Sequence, residues 1–262
     1  MPRIFNTIRQ RLLKENRFTR YLVYAIGEIV LVVIGILLAL QVNTWNLARQ
    51  DRQKETKYLA GLKADLQVDL LELKNFMQDK QVKESSALLL LRMGDPVTAI
   101  EVQRMDSIIW RVFMWRKFVP STKTLDELTG SGNLSLIKND SIKALMLDVA
   151  QHYEEIGVYI EHMRREYDHY LYDRSAAMRE MLPYVDLEHW ARTDTVKNAL
   201  STTGPQLAMH TDQTRALLHD LAFRNGLKLA ALNNRSMRRR CESSYAKVEH
   251  LIELIDAELN TP

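Results

Sequence analysis

Glu28 is the residue whose setting most demands a chemical explanation, because it is the single charge in the otherwise apolar run Tyr21 to Val42. A carboxylate within hydrocarbon costs a few kcal/mol on insertion scales, so such a group faces a partner, a water-filled path or the interface. At about 1.5 Å per residue, an apolar layer starting at Tyr21 puts Glu28 about 10 Å deep. A layer starting at Ile26 puts it just below the headgroups. The structural reading is a near-interface carboxylate bonded to Tyr24 one turn back, or to a basic group on a neighbouring chain. The functional reading is proton or ion handling, or pairing with another membrane protein. On the same helix Gly35 and Ala39 form a small-xxx-small pair, and Gly27 lies two turns before Gly35 on nearly the same face. Small residues let helix backbones approach closely, which makes this a face for self-association.

Other groups with chemical promise weaken on inspection. His152, Glu155, His162, Glu166, His169 and Asp173 fall on one side of a predicted helix, and Glu166 and His169 have the Glu-x-x-His spacing of di-iron bundles. Such centres need a second pair on another helix, and none exists here. The stripe also lies roughly 120° from the apolar seam, so it reads as a solvated polar face. Arg235, Arg238, Arg239 and Arg240 form a basic run, expected to be solvated as well. Asn233 and Asn234 read as polar specificity residues of a helical seam. Cys241 is the sole cysteine, which excludes an intramolecular disulfide. There is no glycine-rich phosphate loop, no Cys-His zinc spacing and no Gly-x-Ser-x-Gly. The expectation is a protein without catalytic residues, metal or cofactor.

The elements that carry these residues begin with the run itself. A bilayer core needs about 20 helical residues, and Tyr21 to Val42 supplies them as a transmembrane helix. A cleaved signal peptide has a shorter apolar stretch and a small-x-small site; the run here ends in Gln41, Asn43, Thr44, Trp45 and Asn46, which favours an uncleaved signal anchor. Six basic residues precede the span, and Arg49, Arg52, Lys54 and Lys57 follow it. That excess predicts a cytoplasmic N-terminus and an exported, periplasmic domain at 43–262. Residues 1–20 read as a basic amphipathic helix on an anionic lipid surface. Trp45 suits the outer aromatic belt, and Tyr21 and Tyr24 the inner one. The net charge of +3 belongs to this flank, so nucleic acid is not an expected partner.

Few Gly and Pro, with many Leu, Ala, Met, Glu, Lys and Arg, indicate an all-α fold. Leu59, Leu62, Leu66, Leu70, Leu73 and Met77 mark a helix after the span, with no strong breaker between Trp45 and Met93, so the span is expected to run into it as a stalk. Gly94-Asp95-Pro96 ends it. Thr98 with Glu101, and Thr124 with Glu127, read as capping boxes. The first opens a helix that stops before Pro120; the second opens a short one closed by Gly130-Ser131-Gly132-Asn133. After Asn139-Asp140, two lines repeat every seven residues: Ile142, Val149, Ile156, Met163 and Tyr170, and Met146, Tyr153, Ile160 and Tyr167. They form a coiled-coil-like seam, predicted to run to about Met181 and end at Pro183. Asp186 to Thr203 has no clear pattern. Beyond Gly204-Pro205 a last long helix is expected, carrying Leu217, Leu221, Cys241, Tyr245, Val248, Ile252, Ile255 and Leu259. Long helices with matching stripes pack as an up-and-down bundle.

Two stretches resemble the recurring signatures of a bacterial family of membrane-anchored proteins known only as a domain of unknown function. One is Arg20 to Ile29, continuing through Val33 to Asn43 and Trp45-Asn46; the other is Leu128 to Asn139, with Gly130-Ser131-Gly132-Asn133-Leu134 at its centre. The resemblance implies a single span and a helical exported domain, and it brings no activity, ligand or catalytic residue. The reading is a bitopic inner-membrane protein whose periplasmic helical domain is an assembly, scaffold or accessory subunit. Its expected partners are the lipid bilayer and either a second copy, as a homo-oligomer, or other membrane proteins. The alternatives are a sensory, ligand-binding bundle, and an accessory subunit of an ion-translocating complex acting through Glu28.

Overall fold

The computed structural model describes residues 18–181, 187–193 and 204–260. The amphipathic segment read at residues 1–20 falls almost wholly outside them, as do Pro183 and most of the patternless stretch 186–203. The chain divides into two compact units, Met1–Lys57 and Tyr58–Pro262. All described residues are helical or in turns between helices, so the fold is all-α.

Helix α1 covers Phe18–Arg92 without interruption. In the first unit its side chains from Leu22 to Leu47 are exposed almost throughout, and its most apolar 18-residue window has a mean hydropathy of 2.7 with none of it buried. Among the described residues one helix is therefore long and apolar enough to cross a membrane. Thr44 returns its hydroxyl to the Leu40 carbonyl at 2.9 Å, which satisfies a polar group within its own helix.

In the second unit α1 buries Leu59, Leu62, Leu66, Asp69, Leu73, Phe76, Lys80, Lys83, Ala87 and Leu90. The steps alternate three and four, which is a heptad stripe. Leu70 and Met77, read from the sequence as stripe members, are only half-buried neighbours of it. Helix α2 (Ala99–Phe113) opens with the expected capping box: Thr98 Oγ1 accepts from the Glu101 N–H, and the Glu101 carboxylate accepts from the Thr98 N–H at 2.9 Å. The box expected at Thr124 does not form. Helix α3 is Lys123–Gly130, and its Thr124 N–H is capped across the fold by Asp65 Oδ2 of α1 at 2.9 Å. Gly132, at φ 71°, makes the left-handed turn into the single 3-10 turn Asn133–Leu136, a conformation glycine enters without strain.

Helix α4 (Asp140–Tyr167) is capped by Asn139, whose side chain accepts from the Ser141 and Ile142 N–H groups. Its buried residues Ile142, Met146, Val149, Tyr153, Ile156, Ile160, Met163 and Tyr167 are the predicted seam. A π turn at Asp168–Tyr172 then inserts one residue, so Leu171 is buried where the repeat pointed to Tyr170. Helix α5 (Asp173–Met178) ends the segment at Met178 rather than Met181, and α6 is Leu187–Thr193.

The last long helix is two: α7 (Pro205–His219) and α8 (Leu221–Leu259). Asp220 separates them and caps α8 through the Phe223 N–H at 2.8 Å. Leu221 is consequently 72% exposed instead of in the core. The buried stripe of α8 is Phe223, Leu227, Ala230, Asn234, Met237, Cys241, Ser244, Val248, Leu251 and Ile255, again at alternating three and four. Tyr245, Ile252 and Leu259 pack at its margin. Contacts fix the directions. Asn139 meets Glu258, Lys247 meets Asp148, and Tyr167 meets Asn234, so α8 runs against α4; Lys63–Asp256 and Glu84–Arg235 set it against α1 as well. The three stripes close one hydrophobic core. Each fully buried Leu, Ile, Val or Phe in it contributes about 1.5–3 kcal/mol.

Candidate functional site

The residues singled out by sequence lie on the exposed apolar stretch of α1 and its ends. Glu28, Tyr24, Gly27, Gly35, Ala39 and Trp45 are all exposed on α1, and the exposed Tyr24 and Trp45 bracket the apolar stretch. A Cβ added at Gly27 or Gly35 would meet nothing within 4 Å, so that face is open for another helix.

The bundle interior holds polar groups that an apolar count passes over, because three of them occupy heptad positions of α1. The first is Asp69, 1% exposed. Its Oδ1 accepts the Ser121 N–H at 2.7 Å, and one turn earlier Asp65 Oδ1 accepts the Ser121 hydroxyl at 2.8 Å. Burial raises the Asp69 pKa to about 6 against the pull of the Ser121 hydrogen bond. Asp65 differs. Its partial burial works upward, but hydrogen bonds from Thr124 and Ser121 and the charge of Lys123 hold it below the usual range. The Tyr153 hydroxyl, on a residue 9% exposed, lies against the Asp69 carboxylate; burial, then the charge and hydrogen bonding of that carboxylate, push its pKa upward. Between Asp69, Tyr153 and the loop at Pro120–Thr122 lies a cavity of about 280 Å³.

Lys80 and Lys83 are the other two, each 1% exposed. Asp79 Oδ2 lies 3.3 Å from Lys80 Nζ and 3.6 Å from Lys83 Nζ. Aromatic rings complete the surroundings. Lys80 Nζ stands 4.3 Å from the Phe76 centroid, and Lys83 Nζ 5.3 Å from the Trp115 ring and 5.9 Å from that of Tyr167. Ring faces attract cations and replace part of the lost hydration. Burial, then the charge of Lys80, lowers the Lys83 pKa to about 8. Cys241 lies near Lys80, and burial pushes its thiol up to about 12, so it is an inert core thiol and no nucleophile. Asn234 donates to the Tyr167 hydroxyl and to the Ala230 carbonyl, both at 2.7 Å. That is the seam role expected for it, while Asn233 instead binds Glu166 from the side.

A third cluster joins α2 and α7. Asp106 pairs with Arg179 and meets His210 Nε2 at 2.8 Å, with all three residues buried. The His152 to Asp173 stripe lies at the side of the bundle. Its His162 contacts Glu166 at 3.3 Å, and His152 contacts Lys247 Nζ at 3.0 Å. Among the described residues no group of three or more His, Cys, Asp or Glu is arranged to hold a metal ion. The arginine run is more engaged than a solvated face: Arg235 and Arg238 flank Glu84, and Arg240 stacks 3.8 Å over the Tyr159 ring.

The pattern of a family of unknown function, DUF6090, matches residues 28–186. The chain belongs to that family. The match begins at Glu28 and takes in most of α1, then α2, α3 and α4, hence Asp69, Lys80, Lys83, Ser121 and Tyr153 of the DUF6090 region, while α7 and α8 lie beyond it. Neither the curated proteins nor the solved structures yield a match.

Proposed function

We propose that this chain is a bacterial bitopic inner-membrane protein whose helical periplasmic domain works, without catalysis, as an assembly, scaffold or accessory subunit. The observation that carries this reading is α1. It holds an apolar window of mean hydropathy 2.7 with no residue buried, and the same helix later supplies the heptad stripe Leu59 to Leu90 to a packed core. The excess of basic residues before the span supports a cytoplasmic N-terminus. The α4 seam is used within the chain, so association with a second copy or another membrane protein rests on the small face at Gly35 and Ala39.

The test is direct. Membranes washed with alkaline carbonate retain the protein, and detergent releases it. Because Cys241 is buried and is the only native cysteine, Ser107→Cys reports topology: a membrane-impermeant maleimide labels it in spheroplasts, whereas Asn6→Cys reacts only after lysis. Release by carbonate sinks the anchor, and the reverse labelling pattern sinks the periplasmic assignment. Affinity purification from native membranes recovers either the protein alone or a partner, and Gly35→Leu weakens that association. A second reading, a ligand-binding bundle, is favoured by the cavity beside Asp69.

A further inference from the structure

We propose that the cavity enclosed by α1, α3, α4 and α8 binds a small organic monocation, an ammonium group carried on a compact apolar body. The inference concerns the bundle and does not depend on the membrane reading; it gives the ligand-binding alternative its chemistry. At about 280 Å³ the cavity is just smaller than the usual ligand pocket of about 300–1,000 Å³. A compact molecule fits it.

The lining sets the chemistry. Its buried floor is Leu62, Leu66, Met146, Val149 and Leu251, which offers carbon to an apolar body. Two polar groups interrupt that floor. Asp69 is 1% exposed, and Tyr153 is 9% exposed with its hydroxyl against the Asp69 carboxylate. Asp126 and Glu154, the exposed lining residues, mark where the cavity meets solvent, and both are carboxylates. Among the described lining residues there is no Lys, Arg or His.

A buried carboxylate without an opposite charge is costly, and an ammonium beside Asp69 offsets that cost. The Tyr153 hydroxyl supplies an acceptor and its ring a cation-attracting face. An anion meets three carboxylates. A divalent metal requires about six oxygen ligands around it, whereas the floor here is carbon on most sides. The arrangement thus selects a cation with one charged end and one apolar end.

Full-length protein in non-ionic detergent micelles is titrated calorimetrically with benzylammonium, with the heat of micelles alone subtracted. Benzyl alcohol and benzoate serve as the neutral and anionic isosteres. Benzylammonium saturates at one per chain and binds at least about tenfold more tightly than benzyl alcohol, as expected for one charge-assisted hydrogen bond. Benzoate gives no heat. Asp69→Asn, which keeps the Ser121 hydrogen bond, abolishes the preference for the cation. Val149→Trp fills the floor and removes binding of cation and alcohol alike, with helicity checked by circular dichroism. Equal affinity for cation and alcohol, an unaltered preference in Asp69→Asn, or no saturable cation binding overturns the proposal. If Val149→Trp does not fold, Asp69→Asn alone decides.

Discussion

Lys83 Nζ lies 3.6 Å from Asp79 Oδ2, one turn back along α1, and Lys80 Nζ reaches the same oxygen at 3.3 Å. One carboxylate oxygen thus serves two ammonium groups, each 1% exposed, in an interior otherwise walled by Phe76, Trp115 and Tyr167. Two like charges share too little compensation, and the second is held at a cost.

That cost is visible in pH. The Lys83 pKa is lowered by burial to about 8, below the ordinary lysine value of about 10.4. As pH rises the native state releases this proton before the unfolded state does, so the Lys83 contribution to stability climbs between about pH 8 and pH 10.4. Lys83→Met removes that climb and stabilises the bundle at pH 7 by about 1–3 kcal/mol. Denaturant titrations of the full chain in detergent, followed by tryptophan fluorescence at pH 7 and pH 10, measure both. An unchanged slope in the variant shows that Lys83 is not its source.

Asp69 predicts the opposite limb. Its pKa stands at about 6, above the ordinary value of about 3.9. Between those values the native state binds more protons than the unfolded state, so stability falls as pH rises from about 4 to about 6. Asp69→Asn keeps an acceptor for the Ser121 N–H, flattens this limb and raises the melting temperature at pH 7. Melting curves at pH 4.5 and pH 7 check it; a variant that melts lower at pH 7 refutes the account.

These two residues also show where the sequence is readable. In α4 every buried position from Ile142 to Tyr167 is apolar or aromatic, so spacing alone marks the stripe. In α1 the same spacing passes through Asp69, Lys80 and Lys83, and a count of apolar residues drifts off it onto Leu70 and Met77. The rhythm was present in the chain; the residue types concealed it. The cavity has no such rhythm, since it draws Leu62, Ser121, Tyr153 and Leu251 together from separate helices and a loop. Asp220 ends one helix with an extended backbone and caps the next with its side chain, a break that no Gly or Pro announces.

The Asp106 cluster is the clearest case of a polar contact that must be kept. Asp106 joins the Arg179 guanidinium to His210 between α2 and α7, and all three are buried. Asp106→Ala removes the carboxylate and leaves the guanidinium buried without its counter-charge, which costs about 3–5 kcal/mol. Adding Arg179→Met to that variant recovers a large part of the loss, because the stranded charge is gone. A double-mutant cycle by chemical denaturation measures the coupling, and additive losses show that the pair is not coupled.

Gly226 lets α8 pass the π turn. A Cβ built there would lie 2.8 Å from Tyr170 Cβ and 2.8 Å from Leu171 Cδ2. Leu171 is fully buried and the Tyr170 Cβ is anchored to the backbone of the inserted turn, so neither yields freely. Gly226→Ala gains helix propensity of about 1 kcal/mol in isolation, but overpacking a tight contact costs about 1–3 kcal/mol. The contact wins, because the helix is already held by its stripe, and the variant loses stability. Deleting Asp168 tests the link from the other side: without the inserted residue α4 continues as a regular helix with Leu171 at the heptad position that follows Met163, the backbone bulge beside Gly226 is gone, and the loss caused by Gly226→Ala changes in size. If Gly226→Ala instead raises the melting temperature, α8 and the π turn are further apart than 2.8 Å contacts require, and the close approach is not a constraint on position 226.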